Sequence, residues 1–272
     1  MTILQAIVLG VVQGLTEFIP ISSSGHLLLI SWLLGWSPPS LVFDVAVHWG
    51  TVLAILAFFW HDWSGLARAG IDAIRRRSLD NPDAVLLAWV ILAAVPAIAF
   101  GFFFEETFEK VFKAPIASAL FLLVTAALLV IGEKSSREDR DLDTLNWFAT
   151  LVIGVAQAVA ILPGISRSGA TIAAGRWRGL KREAAARFSF LLSTPTILGA
   201  AVYKMGVVAL SPTYEAQIPV LLSGMLVATV VGYACIRWLM GYLRRGSLLP
   251  FAIYCALAGV GWLALAASLG YL

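Results

Sequence analysis

The chain has 272 residues, 60% of them hydrophobic and only 13% charged, with a net charge of +3 and a mean hydropathy of +0.88. Soluble domains carry about 25% charged residues, so this composition excludes an ordinary soluble fold. The weak basic excess sits in short runs such as Arg75-Arg76-Arg77 and Arg244-Arg245, which suits topology-setting loops and argues against a nucleic-acid partner.

The apolar excess runs along the whole length. It points to an all-α integral membrane protein with room for roughly six to eight spans of about 20 residues. The N-terminus lacks the basic run and small-residue cleavage site of a secretory signal, so the first segment is expected to belong to the mature protein. That segment, about 3–35, is apolar but broken by Pro, Ser and Gly into halves too short for a span, the pattern of a re-entrant hairpin. Spans are then expected at about 43–61, 84–104 and 115–133. A second broken segment, about 147–180, reads as another hairpin, and spans follow at about 187–209, 215–238 and 249–270. Asp143 is expected to cap the second hairpin. Cys235 and Cys255 lie in apolar stretches and read as buried thiols.

Charge sets the expected orientation. The loop 62–83 holds Arg68 and Arg75 to Arg77 and should be cytoplasmic, as should the loops around Lys134, Arg137 and Arg140, around Lys181, Arg182 and Arg187, and around Arg237, Arg244 and Arg245. The loop with Glu105, Glu106 and Glu109 should face outward. The alternation is consistent if the first hairpin enters from outside and the second from the cytoplasm.

A fixed offset of 144 residues pairs Gly10 with Gly154, Gln13 with Gln157, Ser22 with Ser166, Ser24 with Ser168 and Gly25 with Gly169. The expected organisation is therefore an inverted repeat within a single membrane domain. Repeat one covers about 1–133 and repeat two about 147–272, each a hairpin plus three transmembrane helices. Such repeats place their site where the broken helices meet, here the tips 20–26 and 163–171.

The first tip offers Glu17, Ser22, Ser23, Ser24 and His26. Gln13 and Glu17 are four apart and share a helix face, and an ionisable residue in a membrane segment costs about 2.5–3.5 kcal/mol on insertion scales. In the second tip, Pro163 and Gly164 break the chain, and Ser166, Arg167, Ser168, Gly169 and Thr171 open the next helix. Free N–H groups at a helix start favour an anion, and the arginine fork fits phosphate oxygens. The bland alternative is a polar helix contact, since Ser and Gly are common packing residues in membranes; Arg167 argues against it because a buried guanidinium needs an anion. Asp44 and His48 rank below the two tips, as residues lining an entrance.

The stretches "GVVQGLTEFIPISSSGH" and "PGISRSGATI", with "FSFLLSTPTILGA" and "PFAIY" further on, resemble the undecaprenyl-diphosphate phosphatase family of the bacitracin-resistance type over essentially the whole chain. The resemblance implies hydrolysis of undecaprenyl diphosphate to the monophosphate carrier lipid used in peptidoglycan synthesis, in the bacterial plasma (inner) membrane with the site facing the periplasm or outside. It implies a divalent cation, Mg2+ or Ca2+, with Gln13 and Glu17 at the metal-associated positions; many members carry two glutamates there. It also implies catalytic roles for Glu17, Ser23, His26 and Arg167, with Ser166, Ser168 and Thr171 in its second motif as contacts to substrate; the polar character of the tips adds Ser22, Ser24 and Gly169 as expected contacts. The residues leave open whether water, Ser23 or His26 attacks. The type-2 phosphatidic acid phosphatases also use Ser-Gly-His and Ser-Arg, but place a histidine six residues after the arginine, where this chain has Ala173. The inverted repeat alone favours a secondary transporter or lipid-phosphate flippase, whereas the site residues favour hydrolysis, since carriage needs no histidine beside a phosphate cradle. Expected partners are the polyprenyl diphosphate, the membrane and, through small-residue faces such as Gly259-Val260-Gly261, a homodimer mate.

Overall fold

The computed structural model describes residues 1–103, 115–135, 140–208 and 217–268. The acidic loop 105–109, Arg137, and the expected span ends at 104, 209, 215 and 270 lie outside them. Among the described residues the chain is all-helical. Eleven α-helices run in order: α1 Ile3–Thr16, α2 Ser23–Leu33, α3 Leu41–Phe58, α4 Trp60–Arg76, α5 Pro82–Phe103, α6 Pro115–Ser135, α7 Trp147–Val159, α8 Arg167–Trp177, α9 Arg182–Val208, α10 Ile218–Leu243 and α11 Leu249–Ser268.

Helix lengths follow from local chemistry. Thr2 and Gln5 form a reciprocal capping box that starts α1. Pro20 lies just beyond its end, and a proline cannot extend the hydrogen-bond ladder. At 1.5 Å per residue the 14 residues of α1 reach about 21 Å, short of a hydrocarbon core of about 30 Å. The 11 residues of α2, 13 of α7 and 11 of α8 are shorter still. Both broken segments are thus helix pairs too short to span, as the sequence predicts.

Among the described residues five helices are long and apolar enough to cross a membrane: α3, α5, α6, α10 and α11. The sixth expected span is α9. It is a helix of 27 residues, but its first turns carry Arg182, Glu183, Arg187 and Ser189, so it lacks the apolar character of the others. Its middle is nonetheless deeply buried, with Phe188, Phe190, Leu191 and Leu192 in the main core. Position inside the bundle, not contact with lipid, sets its composition.

Two other expectations are corrected. The stretch 62–83 is mostly helix: α4 covers Trp60–Arg76, buries Leu66 and Ala69 and packs on α5. It is amphipathic rather than apolar, which is why a search for spans passes over it. The cap of α7 is Asn146, whose Oδ1 accepts from Ala149 N at 2.9 Å, while Asp143 lies in the short 3-10 turn Leu142–Thr144. Both cysteines are free and buried, as expected.

Without a hydrophobic force between lipid-bathed helices, close packing depends on small residues. Helix α10 presents Gly224, Ala228 and Gly232 at four-residue intervals to α1 and α3. A Cβ on Gly14 would lie 2.9 Å from Gly232 N, and one on Gly50 2.3 Å from Met225 O. The same device recurs where α7 crosses α5: a Cβ on Gly154 would lie 2.6 Å from Ala93 O. The first helix of each hairpin therefore leans on the middle span of the opposite stretch. Gly259 is likewise engaged inside the chain, against Ala119 and Leu123 of α6, so the expected dimer face is partly consumed by the fold.

Ion pairs gather the basic loops at one end. Arg182 donates to Glu133, which also accepts from Leu248 N at 3.1 Å. Lys181 pairs with Asp141, Arg187 with Asp62, and Arg244 with Glu183.

Gly164 is the backbone position with least freedom. Its φ is +96°, and an added Cβ would meet Ser118 O at 2.3 Å and Phe121 Cβ at 2.8 Å. Gly164→Ala therefore combines a left-handed strain with overpacking, each worth about 1–3 kcal/mol. The thermal midpoint of the detergent-purified variant should fall by several degrees, whereas Gly199→Ala, inside a helix where a Cβ meets nothing within 4 Å, should leave it unchanged or slightly raised.

Candidate active site

The tips of the two hairpins meet. A Cβ on Gly169 would touch Pro20, and one on Gly25 would lie 3.5 Å from Gly164 Cα. Glu17 closes α1 at the junction, with its amide bonded to Gln13 O at 3.0 Å. The residue is only 6% exposed. Its carboxylate is held from three directions: Arg167 Nη2 donates to Oε1 at 2.8 Å, and Ser23 Oγ at 2.5 Å and Gln13 Nε2 at 3.2 Å donate to Oε2. Such charge-assisted bonds are the strong ones, and without them a buried carboxylate would not stay ionised.

Ser23 and Arg167 occupy the first position of α2 and of α8. They are equivalent under the 144-residue offset, and both reach the same carboxylate. The turns that aim them are also alike. Ser22 Oγ accepts from Gly25 N at 3.4 Å and contacts Ser24 Oγ at 3.4 Å. Ser166 Oγ accepts from Gly169 N at 3.0 Å and contacts Ser168 Oγ at 3.2 Å. These hydroxyls cap helices. Ser22 performs that task with a φ of +72°, a conformation costly for a residue with a side chain and concentrated at functional sites.

The second tip is fixed further by Thr125. Its hydroxyl donates to Gly164 O at 3.0 Å and accepts from Ser166 N at 2.9 Å. Thr171 Oγ1 is committed to Arg167 O at 2.8 Å and to Ser189 Oγ at 2.6 Å. The structure thus brings Gln13, Glu17, Ser23 and Arg167 together. It places Ser22, Ser24, Ser166, Ser168, Gly169 and Thr171 one layer back, where they shape the two turns.

His26 stands apart from the carboxylate. Its Nδ1 lies 2.7 Å from Ser22 O and its Nε2 2.8 Å from Tyr254 Oη. His48 of α3 is nearer: its Nε2 is 3.8 Å from Glu17 Oε2, while Nδ1 faces Asp44 O at 2.8 Å. Sequence reasoning places His48 only at an entrance. The signal for more is the i,i+4 pair Asp44 and His48 on one face of an otherwise apolar span. Tyr254 closes the quoted "PFAIY", a stretch that by itself carries no recognisable chemistry.

Two buried polar atoms at the junction have no hydrogen-bond partner, Arg167 Nη1 and Gln13 Oε1. An unpaired buried group costs about 1–3 kcal/mol, so both fit an additional ligand. Nη1 suits an anion, and Oε1 suits a cation. Hard divalent ions accept neutral carbonyl oxygens, and Mg2+ characteristically combines one or two carboxylates with substrate phosphates. The donor set here, one carboxylate and one amide oxygen, fits that pattern. Among the described residues no cluster of three or more His, Cys, Asp or Glu offers a fuller cage. The second hairpin lacks the carboxylate: Ile161 stands where Glu17 does, and both amide atoms of Gln157 lack partners.

Residues 6–261 match the family described as bacitracin resistance protein BacA. An undecaprenyl-diphosphatase of Moorella thermoacetica is 44% identical over 254 residues, covering 93% of this chain and 94% of that protein. One from Pelotomaculum thermopropionicum is 41% identical over 268 residues, covering 98% of each. One from Rubrobacter xylanophilus is 42% identical over 255 residues, covering 93% and 94%.

If Arg167 is what keeps the Glu17 charge tolerable, removing it alone should cost about 3–5 kcal/mol. Arg167→Ala should lower the thermal midpoint clearly, and adding Glu17→Gln to that variant should recover at least half of the loss. A double variant no more stable than Arg167→Ala would show that the two side chains are not coupled.

Proposed function

This chain belongs to the bacitracin resistance protein BacA family, and from that premise we infer that it hydrolyses undecaprenyl diphosphate to undecaprenyl phosphate and inorganic phosphate. It is a membrane hydrolase acting on a phosphoanhydride, with roles in carrier-lipid recycling and bacitracin resistance. The observation that carries the chemistry is the Glu17 carboxylate, which accepts from the Ser23 hydroxyl at 2.5 Å and from Arg167 at 2.8 Å. Nothing in the site or in the relatives favours the transport alternative.

The arrangement supports a specific division of labour. A nucleophile within hydrogen-bond reach of its base, with that base oriented by a third group, is the signature of an activated hydroxyl. Ser23 Oγ attacks the terminal phosphorus, Glu17 takes its proton, and the bridging P–O bond breaks to release undecaprenyl phosphate. Water then cleaves the Ser23 phosphoester and frees inorganic phosphate. Arg167, which has an unpartnered N–H, holds the non-bridging oxygens as charge shifts in the transition state. A divalent cation, Mg2+ or Ca2+, held by Glu17 and Gln13 Oε1, would neutralise part of the diphosphate charge. Ser22, Ser24, Ser166, Ser168, Gly169 and Thr171 act by fixing the two turns, the helix-start amides of α8 supplying further donors.

The wider organisation follows the same reading. The reciprocal packing of α1 on α10 and of α7 on α5 supports an inverted repeat, with halves at about 1–133 and 147–272. The gathering of basic loops at one end supports the cytoplasmic assignment of that end, in a bacterial plasma membrane with the site open to the outer side.

Purified protein should release phosphate from undecaprenyl diphosphate. Ser23→Ala should lower turnover by about a thousandfold or more, as loss of a nucleophile does, and acid quench of the wild type should trap phosphate on Ser23. Arg167→Lys keeps a cation beside Glu17 but loses the planar fork, and should cost about a hundredfold. Near-normal turnover by Ser23→Ala would return the attack to water.

A further inference from the structure

His26 has no ring nitrogen to spare. A backbone carbonyl can only accept, so the 2.7 Å contact between Nδ1 and Ser22 O places a proton on Nδ1. In the neutral ring Nε2 is then the acceptor, and the Tyr254 hydroxyl donates to it at 2.8 Å. The two rings also stack, with centroids 5.6 Å apart and planes at 18°. This contact joins residues 228 apart in sequence, one on α2 and one on α11.

The two partners differ in exposure. His26 is 5% exposed, whereas Tyr254 is 44% exposed on a helix whose outer face also carries Ile253, Leu257 and Val260. Such an exposed apolar face on a helix long enough to cross a membrane suits contact with lipid. Tyr254 stands between that face and the one nitrogen of His26 that is able to engage a substrate. Further along the same seam Trp32 and Trp262 meet edge to face at 5.8 Å, so α2 and α11 are joined by aromatic contacts at two levels. The carbonyl that fixes Nδ1 belongs to Ser22, the residue with a φ of +72°. The left-handed turn thus sets one side of the imidazole and Tyr254 the other.

We propose that Tyr254 is a positioning residue of the phosphatase reaction, a lipid-side latch that holds His26 in its Nδ1–H tautomer and yields Nε2 when the diphosphate of a polyprenyl substrate arrives from the bilayer. The inference rests on the hydrolase reading above. It makes Tyr254 act through His26 and not on the prenyl tail.

The test uses the full chain in detergent. Tyr254→Phe keeps the stacked ring and deletes only the hydroxyl. Diethyl pyrocarbonate acylates unprotonated imidazole nitrogens, and the exposed His61 supplies an internal reference. The labelling rate at His26, relative to His61, should rise several-fold in Tyr254→Phe. In the same variant kcat with undecaprenyl diphosphate should fall about tenfold with KM within about twofold, the split expected when an interaction matters in the transition state and not in binding. An unchanged labelling rate at His26 overturns the proposal whatever turnover does, and so does an unchanged kcat or an effect confined to KM. Nitrogen-15 spectra of histidine-labelled wild type provide a check that needs no variant: His26 should show a protonated Nδ1 and a hydrogen-bonded acceptor Nε2, and the opposite tautomer overturns the proposal. If the wild type releases no phosphate at all, the hydrolase reading fails, while labelling and spectra still decide whether the latch exists.

Discussion

A single ionised carboxylate, Glu17, sits almost fully buried where two short helical hairpins touch, and the molecule is arranged around the need to keep it charged. Burying an isolated carboxylate costs many kcal/mol. Here the cost is offset by an arginine from the far hairpin, a serine from the near one and the amide of Gln13. No one segment could supply that set. The fold brings together residues 150 positions apart, and the closeness of the two tips is what makes the site exist.

That closeness depends on backbone contacts that only glycine permits. Gly14 and Gly50 let α1 and α3 approach α10, Gly154 lets α7 approach α5, and Gly164 seats the second tip on α6. Close-packed interiors have low compressibility, so these backbone contacts hold the tips at fixed separation. Capping hydroxyls then aim the two first-position side chains. The hydroxyls of Ser22, Ser166 and Thr171 are engaged in capping and backbone hydrogen bonds that shape the two turns, and Ser168 contacts Ser166.

Much of this is legible in the sequence alone. Apolar composition implies the membrane class, and Pro20, Pro163 and Gly164 mark the breaks. The offset of 144 residues points to the two tips as partners, and Glu17 and Arg167 stand out because each needs an opposite charge. What stays hidden has physical reasons. Helix α4 escapes because an amphipathic surface helix shares its composition with a charged loop. Helix α9 reads as a span although its polar first turns face other helices. Asn146 displaces Asp143 as the cap because the turn before it consumes Asp143. The roles of the second-tip hydroxyls do not separate, since a capping serine and a ligand serine are the same residue in sequence. His48 and Tyr254 become visible only through long-range contacts to Glu17 and His26.

The charge at Glu17 is the decisive point. Glu17→Gln keeps the shape of the side chain and its hydrogen-bonding reach while removing both the base proposed for Ser23 and the anion that faces Arg167. Phosphate release from undecaprenyl diphosphate by that folded variant is the direct measurement. Turnover reduced by about a thousandfold or more is the predicted result; turnover within about tenfold of wild type would contradict a mechanism built on that carboxylate.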